Sequence, residues 1–334
     1  MRDAIEQTLE ELAAKSDRRV SIFDIQIKEL DQGKLSLIGR LLDGNQLAAL
    51  KEAFSLRFPG RGLDTASIEI LYHPNNSHLH VATNITGLYE APTFSVPLAS
   101  ELLYGSELDI LEEKDLWAFV RQTDGYLGWA YQPYLAEGYA SKATHLVIAP
   151  SIELRTEPDV NCSILTRLVS GTGVSVEETS NGWGRVAANK TGWMPAHSLR
   201  AIVDLPQTLQ ARRAALQEDS ARMIGTPYLW GGISGNGIDC SGFTSLLHRW
   251  IGIQIPRDAD MQYTAAKPVE PPFEVGDLFF LAEGDDHQHV THVGMSLGGW
   301  TMIHSTRVNN GVYVEDLENH PRRKALRSVG SFLR

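Results

Sequence analysis

Cysteine is scarce in this chain of 334 residues, with Cys162 and Cys240 its only two cysteines. Small extracellular proteins held together by disulfides carry many more, so a disulfide-stapled scaffold is excluded. A reducing cytoplasm is the compartment that this low count favours. Whether a native leader is missing from the sequence stays open.

Long apolar runs and basic clusters are lacking as well. No stretch approaches the roughly 20 apolar residues that a membrane-spanning helix needs, so a membrane is not an expected partner. The 30 basic and 41 acidic residues give a net charge of −11, and no Lys/Arg cluster could follow a phosphate backbone. Nucleic acid is therefore not an expected partner. The N-terminus lacks the basic start and apolar region of a secretion signal, which again predicts a cytoplasmic protein.

The chain does contain an internal repeat at an offset of 66 residues. Gly105 matches Gly171, and Trp117 matches Trp183. Further matched segments are 88–92 with 154–158 and 108–112 with 174–178, and the copies close on Gly-Trp pairs at 128–129 and 192–193. Short alternating segments separated by Gly, Pro and Asn predict two small all-β barrels. Their spacing and closing Gly-Trp pairs resemble bacterial SH3-like (SH3b) domains.

The segments on either side of the repeat predict mixed structure. Residues 1–77 show two helical and three strand-like patterns, which indicates an N-terminal α+β domain with no visible chemistry. The repeat then gives one SH3-like domain at 78–138 and another at 139–203. Residues 204–334 combine helical and alternating patterns and form the fourth predicted domain. The predicted fold class is α+β.

Cys240 follows a glycine-rich stretch and begins a helical pattern. Apolar residues fall at 243, 246, 247, 250 and 251, which is the spacing of one helix face. The N-terminus of a helix carries partial positive charge and free N–H groups, and both favour a thiolate over a thiol. The sequence therefore predicts a nucleophile at Cys240.

A general base for this cysteine is expected on a downstream hairpin. Residues 290–297 and 300–305 alternate as two strands around Gly298-Gly299, a turn signal. This turn places His292 and His304 nearly opposite each other, with Cβ atoms about 4.5–5.5 Å apart. The prediction is a catalytic set in which His292 is the base of Cys240 and His304 orients its ring.

Two other interpretations remain. A lone cysteine is usually a small buried apolar residue, although its coincidence with a histidine pair favours a catalytic site. The segment Asp285-Asp286-His287-Gln288-His289, with His292 beyond it, has residue types that bind metals, but no cysteine pair or ligand set with zinc-like spacing accompanies it. We interpret it as a solvated loop, with a metal site as the alternative, and predict neither metal nor organic cofactor.

Several motifs together are identified as those of the NlpC/p60 family of cysteine peptidases. They occur in the family's order at 228–232, 239–242, 256–258, 276–278, 292–294 and 303–305, and the resemblance covers about residue 207 to the C-terminus. With SH3-like repeats upstream, the chain resembles γ-D-glutamyl-L-diamino acid endopeptidases of the dipeptidyl-peptidase VI type. The resemblance implies a papain-like catalytic domain that cleaves murein peptides.

The same resemblance implies roles for further residues. Cys240 attacks the γ-amide carbonyl, His292 protonates the leaving amine, and the Tyr228 hydroxyl faces the developing oxyanion. The substrate-binding residues implied around the cysteine are Trp230, Asp239, Ser241, Arg257 and Asp258, with Arg257 and Ser241 facing the free α-carboxylate of D-Glu. In the first SH3-like domain, Tyr126 and Glu101 are the candidates for binding the amino group of L-Ala, and a surface role for Glu101 is the alternative.

The resulting hypothesis is a cytoplasmic endopeptidase that recycles free murein peptides with an N-terminal L-Ala. A secreted wall-remodelling hydrolase and a catalytically inert wall-binding protein are the alternatives, and transfer of the acyl group to another amine is a third. The sequence does not distinguish diaminopimelate from lysine in the substrate, and it gives no oligomeric state.

Overall fold

The computed structural model describes residues 1–31, 33–138, 140–283 and 289–333. The chain forms two compact units, one made of Met1–Leu79 and Glu107–Pro133 and the other of His80–Ser106 and Tyr134–Arg334. Among the described residues, no helix has the length and apolar character required to cross a membrane.

Five α-helices and many short strands are described. The helices are α1 (Arg2–Ala13), α2 (Gly44–Arg57), α3 (Leu209–Arg222), α4 (Cys240–Trp250) and α5 (Ala259–Ala265). The strands up to residue 137 are β1 (Phe23–Leu30), β2 (Lys34–Leu41), β3 (Gly62–Ile70), β4 (His78–Val81), β5 (Ile85–Tyr89), β6 (Leu98–Leu103), β7 (Glu107–Lys114), β8 (Trp117–Gln122), β9 (Leu127–Tyr131) and β10 (Leu135–Glu137). The later strands are β11 (His145–Val147), β12 (Ser151–Arg155), β13 (Ile164–Val169), β14 (Gly173–Ser180), β15 (Trp183–Ala187), β16 (Thr191–Pro195), β17 (Leu199–Ala201), β18 (Ile233–Ser234), β19 (Gly237–Ile238), β20 (Lys267–Pro268), β21 (Leu278–Leu281), β22 (His292–Ser296), β23 (Thr301–Thr306), β24 (Gly311–Asp316) and β25 (Leu326–Ser331).

The first unit begins with a small α+β layer, as the alternation of patterns predicts. Strand β2 pairs antiparallel with β1 and parallel with β3, and helix α2 supplies the crossover that a parallel pair requires. Helix α2 begins after Asp43, whose side chain accepts the N–H groups of Asn45 and Gln46. Apolar residues of both helices pack on the sheet, among them Ile5, Leu50 and Phe54. Strands β7, β8 and β9 of the same unit form an antiparallel meander.

The internal repeat is confirmed in the strands. Strand β7 begins at Glu107 and β14 at Gly173, and both run for eight residues. The next strands begin at the matched tryptophans Trp117 and Trp183. Gly105 and Gly171 precede the long strands with φ of 76° and 80°, the left-handed region that favours glycine. The second copy forms a seven-stranded antiparallel sheet in the order β13-β12-β16-β15-β14-β11-β17.

The C-terminal part of the second unit packs helices on an antiparallel sheet. The sheet order is β20-β25-β21-β22-β23-β24. Helix α4 packs against β22 and β23, and it buries Phe243, Leu247 and Trp250 in a core with Phe280 and Ile303. The first residue of this helix therefore lies beside the strands that carry both predicted histidines.

The second repeat also fixes helix α4. The indole N–H of Trp250 donates to the carbonyl oxygen of Val147 at 3.1 Å. Arg200 pairs with the fully buried Asp219 of α3 through two bonds of 2.6 and 2.9 Å, and it donates to the carbonyl oxygen of Trp250 at 3.0 Å. The repeat is thus part of the packing that positions the cysteine helix.

Candidate active site

Cys240 is the first residue of α4, as the sequence predicts. The preceding Asp239 is the N-cap, and its carboxylate accepts the N–H of Gly242 at 2.6 Å. The glycine loop lies against this turn: a Cβ on Gly242 would be 2.2 Å from the carbonyl oxygen of Gly232. A side chain at residue 242 would therefore push the helix start away from the loop.

A buried ion pair holds Asp239 in place. Arg257 donates to both carboxylate oxygens of Asp239, at 3.1 and 2.7 Å, and to the hydroxyl of Ser241 at 3.0 Å. The Nε of the same guanidinium donates to the hydroxyl of Ser100 on β6 at 3.0 Å. The Arg257 nitrogens are thus bonded within the protein, and the predicted binding of substrate by Arg257, Ser241 and Asp239 stays a prediction.

The thiol of Cys240 is buried, and this changes its acidity. Burial raises the pKa of Cys240 to about 12 and the charge of Asp239 adds to the effect, while hydrogen bonds from the Val293 and Ser241 backbones oppose it. The expectation of a thiolate at rest is therefore wrong, because loss of solvation outweighs the partial charge of the helix end. Burial also lowers the pKa of His292 well below its usual value, so both groups are neutral at rest.

The structure brings the two predicted histidines together. The Nε2 of His292 lies 2.6 Å from the Nδ1 of His304, and both side chains are buried. Their strands pair with Met295 opposite Ile303, so the histidines are diagonal neighbours rather than directly opposed. Gly294 makes the diagonal contact possible, because a Cβ there would lie 3.0 Å from the Cβ of His304 and 2.4 Å from the sulfur of Met302.

Two charged residues that the sequence analysis missed lie behind His304. The Nε2 of His304 is 3.3 Å from a carboxylate oxygen of Glu315 on β24, and Arg322 donates to the same oxygen at 2.7 Å. Arg322 also lies 3.2 Å from the Nε2 of His304 and pairs with Glu283. The hydrogen bond to His304 and the charge of Arg322 lower the pKa of Glu315 to about 2, so its carboxylate is charged at neutral pH.

The tautomer of each ring depends on whether the Nε2 of His304 donates to Glu315 or accepts an N–H of Arg322. If the Nε2–H of His304 donates to Glu315, its Nδ1 must accept the Nε2–H of His292. The Nδ1 of His292 then carries a lone pair and can take a proton from a thiol. A charged carboxylate at the end of the chain favours the imidazolium that forms at that moment.

An aromatic cluster lies beside the cysteine. Tyr228 forms a bridge with Ile238, two residues before Cys240. Burial raises the pKa of Tyr228 to about 12, and the neighbouring Cys240 and Asp239 add to the effect. Its hydroxyl therefore stays protonated and can donate a hydrogen bond. Trp230 is 55% exposed, and the guanidinium carbon of Arg307 lies 4.7 Å from its ring centre and 5.5 Å from that of Tyr228.

The remaining predicted residues lie in different surroundings. Glu101 on β6 is buried, and its carboxylate accepts the N–H of Ile233, in the glycine loop, at 2.8 Å. Burial raises the pKa of Glu101. This burial contradicts the alternative of an exposed surface glutamate. Asp258 is the half-buried N-cap residue of α5, and Tyr126 is a buried residue of the first unit. Their substrate-binding roles stay predictions.

The alternative of a metal site rests partly on residues that are not described. Asp285, Asp286 and His287 lie outside the described residues. Among those that are described, no group of three or more His, Cys, Asp or Glu side chains could hold a metal ion.

Comparison with family models matches three parts of the chain. The NlpC/P60 family model matches residues 225–331. The models for a bacterial dipeptidyl-peptidase SH3 domain and a bacterial SH3 domain match residues 88–130 and 150–200. Each match falls inside one predicted domain, and the boundaries of those domains stay predictions.

Individual relatives agree with these matches. Dipeptidyl-peptidase 6 of Lysinibacillus sphaericus is 28% identical over 72% of this chain and 92% of the relative. A γ-D-glutamyl-L-lysine dipeptidyl-peptidase of Bacillus cereus is 29% identical over 65% of this chain and 70% of the relative. A probable endopeptidase of Corynebacterium glutamicum is 32% identical over 48% of this chain and 81% of the relative.

A solved structure shows the same fold. The crystal structure of an NlpC/P60 family protein from Bacillus cereus covers 77% of this chain and 100% of its own, with a TM-score of 0.68 and 24% identity. The fold, the family model and the identity to the relatives lead to one conclusion: the chain belongs to the NlpC/P60 family of cysteine peptidases and carries two bacterial SH3 domains ahead of its peptidase domain.

Proposed function

We propose that this peptidase hydrolyses the bond between the γ-carboxyl of D-Glu and the diamino acid of murein peptides. The observation that carries the proposal is the series of close contacts from His292 to His304 and from His304 to Glu315, in a domain where a cysteine begins a helix. The names of the relatives support the choice of bond, since two of them are γ-D-glutamyl-L-lysine dipeptidyl-peptidases.

The proposed reaction begins with two neutral groups. As the Cys240 sulfur attacks the γ-amide carbonyl carbon, His292 takes the thiol proton at Nδ1. The raised pKa of the thiol and the lowered pKa of His292 make this transfer part of the attack rather than a step before it. The backbone N–H of Cys240 and the hydroxyl of Tyr228 donate to the oxyanion.

The second half of the reaction returns the proton. His292 protonates the amine of the diamino acid, the C–N bond breaks, and a thioester joins Cys240 to the D-Glu side chain. A water molecule, deprotonated by His292, attacks this thioester, and the thiol leaves with a proton. The products are L-Ala-D-Glu and the remaining part of the peptide.

Glu101 is the proposed partner of the free amino group of L-Ala. Its carboxylate is buried and linked to the glycine loop through Ile233, and burial raises its pKa because its negative charge loses solvation without full compensation. An ammonium group placed against it would supply that compensation. The role predicted for Tyr126 stays a prediction.

A requirement for a free L-Ala amine leads to the proposed role in recycling. Peptides released from the wall carry this amine, whereas in intact wall it is blocked. Action in the cytoplasm is proposed with this role, supported by the free thiols of both cysteines.

The test is a panel of free tripeptide, N-acetylated tripeptide and intact sacculi. We expect wild type to release L-Ala-D-Glu from the free tripeptide only, and Cys240→Ala to release none. Faster digestion of sacculi would support a secreted remodelling hydrolase instead. If neither wild type nor Cys240→Ala cleaves any of the three substrates, the result would support the inert wall-binding alternative.

A further inference from the structure

Arg307 is held between two aromatic side chains near the cysteine. It follows β23 directly, in the connection to β24, and its guanidinium carbon lies 4.7 Å from the Trp230 ring centre and 5.5 Å from the Tyr228 ring centre. Cation–π attraction to these rings restrains the guanidinium, whose N–H groups can still donate hydrogen bonds.

Arg307 has no carboxylate partner among the described residues, although the chain carries 41 acidic residues. Other arginines of the peptidase domain are paired: Arg257 with Asp239, and Arg322 with Glu315 and Glu283. An exposed and restrained guanidinium of this kind is suited to an anionic ligand.

The position of Arg307 relates it to the reaction. Its charge and a hydrogen bond act on the hydroxyl of Tyr228, which is predicted to face the oxyanion formed at Cys240. The Val312 N–H beyond the connection donates to the carbonyl oxygen of Thr226 at 3.0 Å, and the Gly225 N–H donates back to Val312 at 3.0 Å. These paired bonds tie the strand after Arg307 to the segment that carries Tyr228 and Trp230.

We propose that Arg307, Trp230 and Tyr228 form a carboxylate-binding subsite that receives an acidic group of the peptide next to the scissile bond. This inference rests on the proposed function for the identity of the peptide. Arg257 is already bonded to Asp239, Ser241 and Ser100, whereas Arg307 has its charge available. Two carboxylates have the required chemistry, the α-carboxylate of D-Glu and the side-chain carboxylate of diaminopimelate.

A set of four peptides distinguishes the two sources. Of the two D-Glu peptides, the one with diaminopimelate has the side-chain carboxylate and the one with lysine lacks it. The matching D-isoglutamine peptides lack the α-carboxylate of D-Glu. We expect Arg307→Gln to raise KM roughly 10- to 100-fold for peptides with the recognised carboxylate, the range for a lost charge-assisted bond. For peptides without that carboxylate, Arg307→Gln and wild type should have the same KM, and Arg307→Lys should be intermediate.

A matched control is available in the same domain. Arg323 lies over the ring of Trp300 at 4.0 Å and donates to the carbonyl oxygen of Glu318, away from the cysteine. Arg323→Gln should leave all KM values unchanged. An equal effect of Arg307→Gln on all four peptides, or no effect on any, would overturn the proposal.

An alkylation experiment separates this proposal from the proposed function. The rate at which Cys240 reacts with iodoacetate, divided by its rate with iodoacetamide, measures attraction of a carboxylate without any peptide. In a Cys162→Ser background, Arg307→Gln should lower this ratio and Arg323→Gln should not. An unchanged ratio overturns the subsite, whereas a lowered ratio in an enzyme that cleaves no γ-glutamyl peptide supports the subsite and rejects the proposed function.

Discussion

The carboxylate of Glu315 lies 3.3 Å from the Nε2 of His304, whose Nδ1 is 2.6 Å from the Nε2 of His292. A neutral histidine alone would orient the base without supplying negative charge. The role we propose for Glu315, which also pairs with Arg322, is to supply that charge through His304, as the carboxylate of other catalytic triads does.

Replacing Glu315 should affect both rate and pH dependence. For Glu315→Gln we expect kcat/KM to fall roughly 10- to 100-fold, because a charge-assisted hydrogen bond is lost. Removal of the negative charge also disfavours the imidazolium, so the acid limb of the pH profile should move to lower pH. The control Asp316→Asn removes a charge from an exposed position on the same strand. If the acid limb and the maximum of the pH profile of kcat/KM are unchanged in Glu315→Gln, this role is contradicted.

Gly294 should be intolerant of a side chain for a geometric reason. In Gly294→Ala the new Cβ would meet the Met302 sulfur and the Cβ of His304, which separates the two histidines. We expect kcat to fall by about 100-fold, the scale of a misplacement near 1 Å. The double variant Gly294→Ala/Met302→Ala relieves the first clash and leaves the second. Full activity in that double variant would show that the histidine contact does not depend on Gly294.

Loss of Arg257 should destabilise the protein rather than only weaken substrate binding. Arg257→Ala leaves the Asp239 carboxylate buried without its partner, which costs about 3–5 kcal/mol of unfolding free energy. Urea unfolding followed by tryptophan fluorescence measures the change. Arg167→Ala is the control, because Arg167 pairs with Glu153 at the surface and its loss should leave the midpoint unchanged. Equal midpoints for Arg257→Ala and wild type would refute the structural role.

Buried histidines should make stability fall in mild acid. His248 on α4 is fully buried, its Nδ1 lies 2.8 Å from the carbonyl oxygen of Thr244, and its pKa is lowered from 6.5 to about 4. The unfolded chain therefore binds a proton at a higher pH than the folded one. The unfolding free energy should decrease as pH falls from about 6.5 to about 4 and lose no more from this group below that.

The variant His248→Gln tests the source of that decrease. It removes the titrating ring, so its stability should depend less on pH between 6.5 and 4 than that of wild type. Unfolding curves of both proteins at a series of pH values give the comparison. If the unfolding free energy depends on pH equally in wild type and His248→Gln, the decrease comes from other groups. His292 is then the first candidate, because its pKa is also lowered.

Local patterns in the sequence were enough to place the proposed nucleophile and its proposed base. Asp239 before a helical apolar pattern predicts the start of α4, and Gly298-Gly299 between alternating segments predicts the turn between the two histidine strands. Each of these signals lies within a few residues of the structure it describes. The internal repeat was visible for the same reason, since it needs only the comparison of two nearby segments.

Other features of the site depend on contacts between distant segments. Glu315 reaches His304 because β24 pairs with β23, and Arg322 arrives from a 3₁₀ turn after that strand. No local sequence pattern marks Glu315 or Arg322. Knowledge that β24 pairs with β23 would have pointed to Glu315, because it is a carboxylate on the strand next to His304. The acidity of Cys240 was misjudged because the helix end is a local property, whereas burial depends on the whole domain.

The central claim is that Cys240, with His292 as its base, cleaves a γ-D-glutamyl bond. The most direct measurement is the release of L-Ala-D-Glu from L-Ala-γ-D-Glu-diaminopimelate and from its lysine counterpart, by wild type, Cys240→Ala and His292→Ala. The account predicts release by wild type from at least one peptide and none by either variant. Release by Cys240→Ala at the wild-type rate, or cleavage of the L-Ala–D-Glu bond instead, would contradict it.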